Sequence, residues 1–348
     1  MSGFSGKRLD LFAEIIFAYL QAKTLRISSI ARFMSGTYEA NYKSITRFLS
    51  GFEQGLEIIQ RLFLENSPFV ICDPTVIQRK EAIKTSYVGF VRPNELGFYL
   101  MAFAVPFRGR TIPFYFRTYS SATIASEQSS RNIEHFSGLG AIKNLCRKIP
   151  IVFDREFSYK QLLQAFIDEE MTFVVRLNQG NHVKITDSNG VLQELTIEKG
   201  GRKVWHNLRY GSDTPVNIGA IWSNKFNRPL FVITNGDPDK AIDLYLQRMK
   251  IEMTFRDFKD KMGISKNMSQ THKNMERMMA IALISYFLTI LVGEEIRARY
   301  LSDVQKAKYS GVFIILCYGS VSIDIDSLFI MDEVWRIMVS EILPSNKV

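Results

Sequence analysis

The rhythm of apolar positions changes several times along the chain, and each change predicts a different element. From residue 7 to about 66 it is helical: Leu11, Ile15, Ile16, Tyr19 and Leu20 recur at helical spacing. Two short helices are predicted next, Ser28 to Met34 and Asn41 to Leu49, parted by the turn signal Ser35-Gly36-Thr37. The second would bury Ile45, Phe48 and Leu49 and turn Asn41, Lys43, Ser44 and Arg47 outward. A helix-turn-helix that presents a polar, basic helix to DNA has this layout. An ordinary helical bundle accounts for it equally well.

From residue 68 the texture becomes mixed. Phe69 to Cys72 and Ile149 to Phe153 are continuous apolar runs, the pattern of strands covered on both faces. Tyr87 to Phe90 is another short strand, and Gly97 to Phe107 with Thr111 to Thr118 predicts a hairpin around Arg108-Gly109-Arg110. Ser126 to Lys148 reads as a helix broken at Gly138 to Gly140, Tyr159 to Glu170 as a helix, and Thr172 to Leu177 as a strand. The order implies an α/β fold, a mixed sheet with flanking helices. Residues 179 to 236 alternate in short segments between Gly180, Asn189-Gly190, Gly200-Gly201, Gly211 and Asn235-Gly236, a β-rich insertion that carries Lys199, Arg202, Lys203, Arg209, Lys225 and Arg228 together with Trp205 and Trp222. A helix follows from Asp237 to Met262, with Asp237 as cap, Pro238 in the first turn and Gly263 as stop.

Composition narrows the picture. The chain has 348 residues, 46% of them hydrophobic, enough for one large or two modest cores, and a net charge of +9 that favours a polyanionic partner. Three cysteines (Cys72, Cys146, Cys317), none in a C-x-x-C pair, argue for a reducing compartment and against a disulfide framework or zinc knuckle. His135, His182, His206 and His272 lack metal-binding spacing. The first residues, MSGFSGKRLDLF, do not read as a signal peptide. Met278 to Gly293 is apolar but shorter than the roughly 20 residues of a membrane span, so it is expected as a buried core helix, with no membrane as partner.

Candidate chemistry sits on acids. Asp73 and Asp154 each follow an apolar strand run, where sheet proteins tend to place their sites. Either one alone would more often be a cap or turn former. On a continuous helix Tyr245, Arg248, Glu252 and Lys259 share one face, with Met249 and Arg256 beside them. A solvated face laced with salt bridges explains that spacing as well as a site does.

The spacing Y-x2-R-x3-E-x6-K resembles the signature helix of the family-four DDE transposases of bacterial insertion sequences. Tyr245, Arg248, Glu252 and Lys259 stand on all four positions. Asp73-Pro74-Thr75 and Phe153-Asp154-Arg155-Glu156-Phe157, followed by Phe173-Val174-Val175-Arg176, resemble the two other motifs, in the same order. Two departures stand out. Glu156 replaces the small residue of many relatives, and Leu230 stands near the place where some relatives carry a stacking tryptophan.

The resemblance implies a ribonuclease-H-like catalytic domain at 67–300 that includes the insertion, an N-terminal helical domain at 1–66 and a C-terminal segment at 301–348. It implies that Asp73, Asp154 and Glu252 are catalytic and hold Mg²⁺, for which Mn²⁺ can substitute, as a pair of ions. Tyr245, Arg248 and Lys259 would touch DNA near the cut. Double-stranded DNA would be the partner, as terminal inverted repeats and target, with a homodimer joining two ends in the bacterial cytoplasm at the nucleoid. A DNA-binding protein that has lost catalysis, and a nuclease of the same fold without strand transfer, remain the alternatives.

Overall fold

In a computed structural model the chain is described over residues 6–300, except 54, 55, 57, 58, 61–63, 65, 81, 83, 179–183 and 212. The apolar stretches Val312 to Cys317 and Val334 to Ile342, expected as packed structure, lie outside the described residues. In chain order the elements begin with helices α1 (Gly6–Ala22), α2 (Ile27–Ile30) and α3 (Tyr38–Ser50). Strands β1 (Val70–Gln78), β2 (Gly89–Arg92), β3 (Glu95–Phe107) and β4 (Arg110–Tyr119) follow. Then come α4 (Ser121–Ser126), α5 (Arg131–Cys146), β5 (Ile151–Phe153), α6 (Lys160–Asp168) and β6 (Phe173–Arg176). Strands β7 (Ile185–Thr186), β8 (Arg202–Tyr210), β9 (Thr214–Ile221) and β10 (Leu230–Thr234) lead to α7 (Pro238–Leu246), α8 (Lys250–Arg256) and α9 (His272–Tyr300).

Two compact units form. The first comprises Met1–Ile58, Ile77–Phe98 and Phe255–Val348, the second Ile59–Val76 and Tyr99–Thr254.

The second unit is built on a sheet in which β4, β3, β1, β5, β6, β10, β9, β8 and β7 are neighbours in that order. β1, β5 and β6 are mutually parallel, while β3–β4 and every pair from β6 onward through β10 is antiparallel. A leading strand in the middle, a hairpin on one side and two parallel strands on the other make the sheet ribonuclease-H-like. The central strands are apolar throughout because both faces are covered: Val70, Ile71, Cys72, Ile151, Val152 and Phe153 are fully buried. The insertion does not stand apart from this sheet, since β10 joins β9 to β6 and so extends it.

Of two local expectations here, one holds and one is corrected. The hairpin turn is as predicted, with Arg108 (φ 41°) and Gly109 (φ 79°) forming a two-residue loop between the paired Phe107 and Arg110. The helix after it does not break at Gly138 to Gly140. It breaks earlier, where the Ser130 hydroxyl caps α5 by accepting from the Ile133 N–H. Gly138 allows close packing instead: a Cβ there would collide with Met101 Cε and crowd Phe103.

In the first unit Thr37 caps α3, accepting from the Ala40 N–H, and Ile45, Phe48 and Leu49 are buried as expected. Asn41 is not on the outer face. It is buried, and its amide donates to the carbonyls of Ala31 (2.9 Å), Met34 (3.2 Å) and Gly36 (3.0 Å), which locks the turn between the two helices. Lys43 and Arg47 are exposed and Ser44 half-buried. His272–Glu294 is long and apolar enough to cross a membrane, yet its apolar window is 89% buried inside the protein, and Met278–Leu288 are core residues of this unit.

Candidate active site

Register places the two aspartates side by side. Val70, Ile71 and Cys72 pair with Ile151, Val152 and Phe153, so the next residue on each strand is Asp73 and Asp154. Asp73 does not end its strand as the sequence suggests, for β1 continues to Gln78. Pro74 is tolerated inside it for a geometric reason. The Val70 N–H points at β5, donating to Pro150 O at 2.8 Å, and by alternation position 74 faces that side too. β5 has ended at Phe153, so no ladder bond is lost.

The third carboxylate comes from the segment after β10. Asp237 caps α7 with its carboxylate accepting from the N–H groups of Asp239 (2.9 Å) and Lys240 (3.3 Å), and Pro238 takes the first turn. The single long helix expected from Asp237 to Met262 is not formed. α7 ends at Leu246, residues 247–249 turn through short bonds such as Arg248 N–H to Tyr245 O (2.9 Å), and α8 starts at Lys250. Asp257–Lys261 then winds as a π-helix. Thr254 anchors α8, its hydroxyl accepting from the Thr111 N–H at 3.0 Å. The shared face of four residues is therefore not continuous. Tyr245, Arg248 and Glu252 fall in the second unit with Asp73 and Asp154, while Lys259 lies in the π-helical segment of the first.

Arg248 is the hub of this site. Its Nη1 lies 3.1 Å from Asp73 Oδ2, and its Nη2 lies 3.1 Å from Glu252 Oε1 and 3.9 Å from Asp154 Oδ1. The guanidinium sits 5.7 Å from the Tyr245 ring centre, and the Tyr245 hydroxyl donates to Asp154 Oδ1 at 3.1 Å. One cation thus touches three carboxylates, and its Nε is buried without a hydrogen-bond partner. Side-chain exposure climbs from 9% at Arg248 and 12% at Asp73 to 30% at Asp154 and 46% at Glu252, so the cluster opens to solvent on the glutamate side.

The charges perturb one another. Burial pushes the Asp73 carboxyl up to about 7; Arg248 pulls it down, and Asp154, Glu156 and Glu252 push it further up. Burial, with Asp154 next to it, pushes the Tyr245 phenol up to about 12, so it stays a donor. The neighbouring carboxylates hold Arg248 charged despite its burial.

A fourth carboxylate belongs to the neighbourhood, one that the sequence marks only as a departure from the family pattern. Glu156 is ion-paired with Arg131, whose guanidinium lies 4.6 Å from the Tyr99 ring centre, and its other oxygen is buried with no partner. Burial raises its affinity for a proton, against Arg131 and with Asp154. The two tryptophans of the insertion make local contacts. Trp222 Nε1 donates to Phe226 O at 3.1 Å, and Trp205 lies under Lys203 Nζ at 4.7 Å and beside Phe231.

Asp73, Asp154 and Glu252 offer only oxygen, the donor set that hard divalent cations take. Among the described residues no three acidic, histidine or cysteine side chains stand close enough to grip one ion. The positive charge between the acids is the Arg248 guanidinium.

Residues 127–288 match the family model of the transposase DDE domain. That segment is similar to a DDE domain. The match spans Asp154, Tyr245, Arg248, Glu252 and Lys259, whereas Asp73 precedes it and is brought beside Asp154 by the pairing of β1 with β5. No curated protein matches the chain. Among solved structures the piggyBac transposase synaptic complex with hairpin DNA is similar at 11% identity and a TM-score of 0.48, over 98% of this chain and 76% of that one.

Proposed function

We propose that the protein is a DNA transposase of the family-four bacterial type, which cuts at the ends of its element and joins them to target DNA. The observation that carries this reading is the meeting of Asp73, Asp154 and Glu252 on Arg248, beside the carboxyl end of β5. Buried like charges repel, and a purely structural role makes poor use of three acids around one cation.

Asp73, Asp154 and Glu252 would hold Mg²⁺ or Mn²⁺, which supplies activation of the attacking oxygen and charge neutralisation on the leaving one. Arg248 holds the acids together, and its fork would suit a DNA phosphate beside them. Tyr245 orients Asp154 through its hydroxyl. In the first step water attacks a phosphorus at the element's end, the P–O3′ bond breaks and the 3′-oxygen leaves with a proton as a hydroxyl. In the second step that hydroxyl attacks a target phosphorus and displaces the target's own 3′-oxygen. One phosphodiester replaces another, so no energy source is consumed. Lys259 adds a phosphate contact. The working form is a homodimer that brings two ends together, in the cytoplasm at the nucleoid.

The test uses duplexes carrying the DNA that flanks the gene. Native protein with Mg²⁺ or Mn²⁺ should cleave and join them, and Glu252→Gln should bind them without doing either. Cleavage without joining would make the protein a nuclease, and binding without metal-dependent cleavage would make it a binder.

A further inference from the structure

The same end of the sheet carries a second charged feature. β5 and β6 run parallel with Phe153 opposite Val175, so Arg155, just past β5, and Arg176, the last residue of β6, leave the sheet together. β10 runs antiparallel to β6 with Val232 opposite Arg176, and the Leu177 N–H donates to Phe231 O at 2.9 Å. That brings Arg228-Pro229, the approach to β10, to the same place. These residues, with Asn178, line one cavity of about 70 Å³. Such a volume takes a few water-sized groups and no more.

Four other arginines of this unit are ion-paired. Arg117 meets Glu134, Arg131 meets Glu156, Arg202 meets Asp239 and Asp243, and Arg248 meets three acids. Among the described residues the side chains of Arg155, Arg176 and Arg228 make no ion pair and no hydrogen bond. Three guanidinium groups gathered around one cavity repel, although Arg155 and Arg228 are exposed and Arg176 half-buried, so solvent screens part of that repulsion. An anion is the ligand that offsets this cost. Planar forks converging from three sides suit a phosphate, whose oxygens accept from several donors at once. The cavity is also close to the acidic site. Arg155 follows Asp154 in the chain, and Arg176 is near enough to Tyr245 to draw on its phenol.

We propose that the cavity lined by Arg155, Arg176 and Arg228 is a phosphate subsite that takes one phosphodiester of the DNA backbone beside the bond cut at the acidic site. It rests on the reading that DNA is the substrate. The subsite fixes the register of the strand relative to Asp73, Asp154 and Glu252, and it reads no sequence.

The test reads binding alone. Duplexes carrying the flanking ends are prepared with a single neutral methylphosphonate moved along the strand, and affinity is measured for native protein and for Arg176→Gln/Arg228→Gln. At one linkage next to the cut the native protein should lose about tenfold in affinity while the double variant loses nothing further. With unmodified DNA the double variant should show a shallower dependence of log K on log salt, by about 1. Should the glutamine pair fail to fold, the Arg→Lys pair keeps the charge, loses the fork and is put through the same scan. DNA binding with no linkage coupled to the cavity overturns the subsite and leaves the DNA reading intact. Absence of duplex binding by native protein overturns both. Coupling at one linkage without any cleavage supports the subsite and sinks the transposase.

Discussion

Two clusters of charge share one end of the sheet and are composed in opposite ways. Around Arg248, one guanidinium is shared by three carboxylates. In the cavity of Arg155, Arg176 and Arg228, three guanidinium groups have no carboxylate among the described residues. The first carries its own counter-cation, although one guanidinium offsets only part of three carboxylates. The second is left unneutralised and gains stability only when an anion arrives. Paired side by side, they suit a substrate that is itself an anion cut with the help of a cation. Substitutions on the two sides should therefore have effects of opposite sign on fold stability.

The largest effect is expected from Asp73→Asn. It removes the buried carboxylate and should cut metal-dependent cleavage on the order of 10³-fold or more, the scale seen when one member of a catalytic set is lost. Cleavage rates within tenfold of native would separate Asp73 from the site. The next effect concerns stability. Arg248→Gln leaves Asp73 buried without its cation, which should cost the metal-free protein about 3 kcal/mol in denaturant unfolding. Mn²⁺ should then raise the melting temperature of the variant more than that of native protein, because the metal no longer competes with a resident guanidinium. An equal or smaller shift in the variant would show that metal and guanidinium do not share a place.

How much of this was readable beforehand depends on the range of the interaction that fixes it. The apolar runs at Val70–Cys72 and Ile151–Phe153 announce buried strands, and the Arg108-Gly109 turn announces its hairpin, because those signals are local. The meeting of Asp73 with Asp154 depends on strand register, which one sequence does not display. The signature helix was legible as a string but not as a shape. No glycine or proline stands between Leu246 and Lys261 to mark the break, which comes from Arg248 turning into the acids and Thr254 binding Thr111. Gly138 misled in the other direction, since its missing side chain serves a contact with Met101 and not a bend. Asn41 looked like a DNA-facing residue because polarity alone does not distinguish a solvated amide from a buried one with three carbonyls. The arginine cavity gathers positions 155, 176 and 228, which nothing in their spacing links.

A smaller effect is expected from pH. Burial lifts Asp73 from 3.8 to about 7. The folded value lies above the unfolded one, so in metal-free protein the contribution of this group to stability is full below 3.8 and is lost as the pH rises through about 7. Metal binding needs the ionised form and runs the other way. Mn²⁺ affinity should rise about tenfold per pH unit between about pH 6 and 7 and level off above, while Asp73→Asn removes that slope. A flat profile in native protein would mean that Asp73 is already ionised below neutrality.

The smallest effect tests the opposite sign. Leu177 lines the arginine cavity without contributing charge. Leu177→Glu gives the three arginines the acid they lack, so the metal-free protein should become more stable, by up to about 1 kcal/mol for a pair open to solvent. The same carboxylate occupies the place of the phosphate, and duplex binding should weaken with a shallower salt dependence. Arg248→Gln breaks pairing and destabilises, whereas Leu177→Glu creates pairing and stabilises at the expense of the ligand. A stability loss in the Leu177→Glu variant would mean that the cavity does not suffer from unbalanced charge, and the contrast between the two clusters would fail. A stability gain with unchanged DNA affinity would keep the charge argument and remove the phosphate from the cavity.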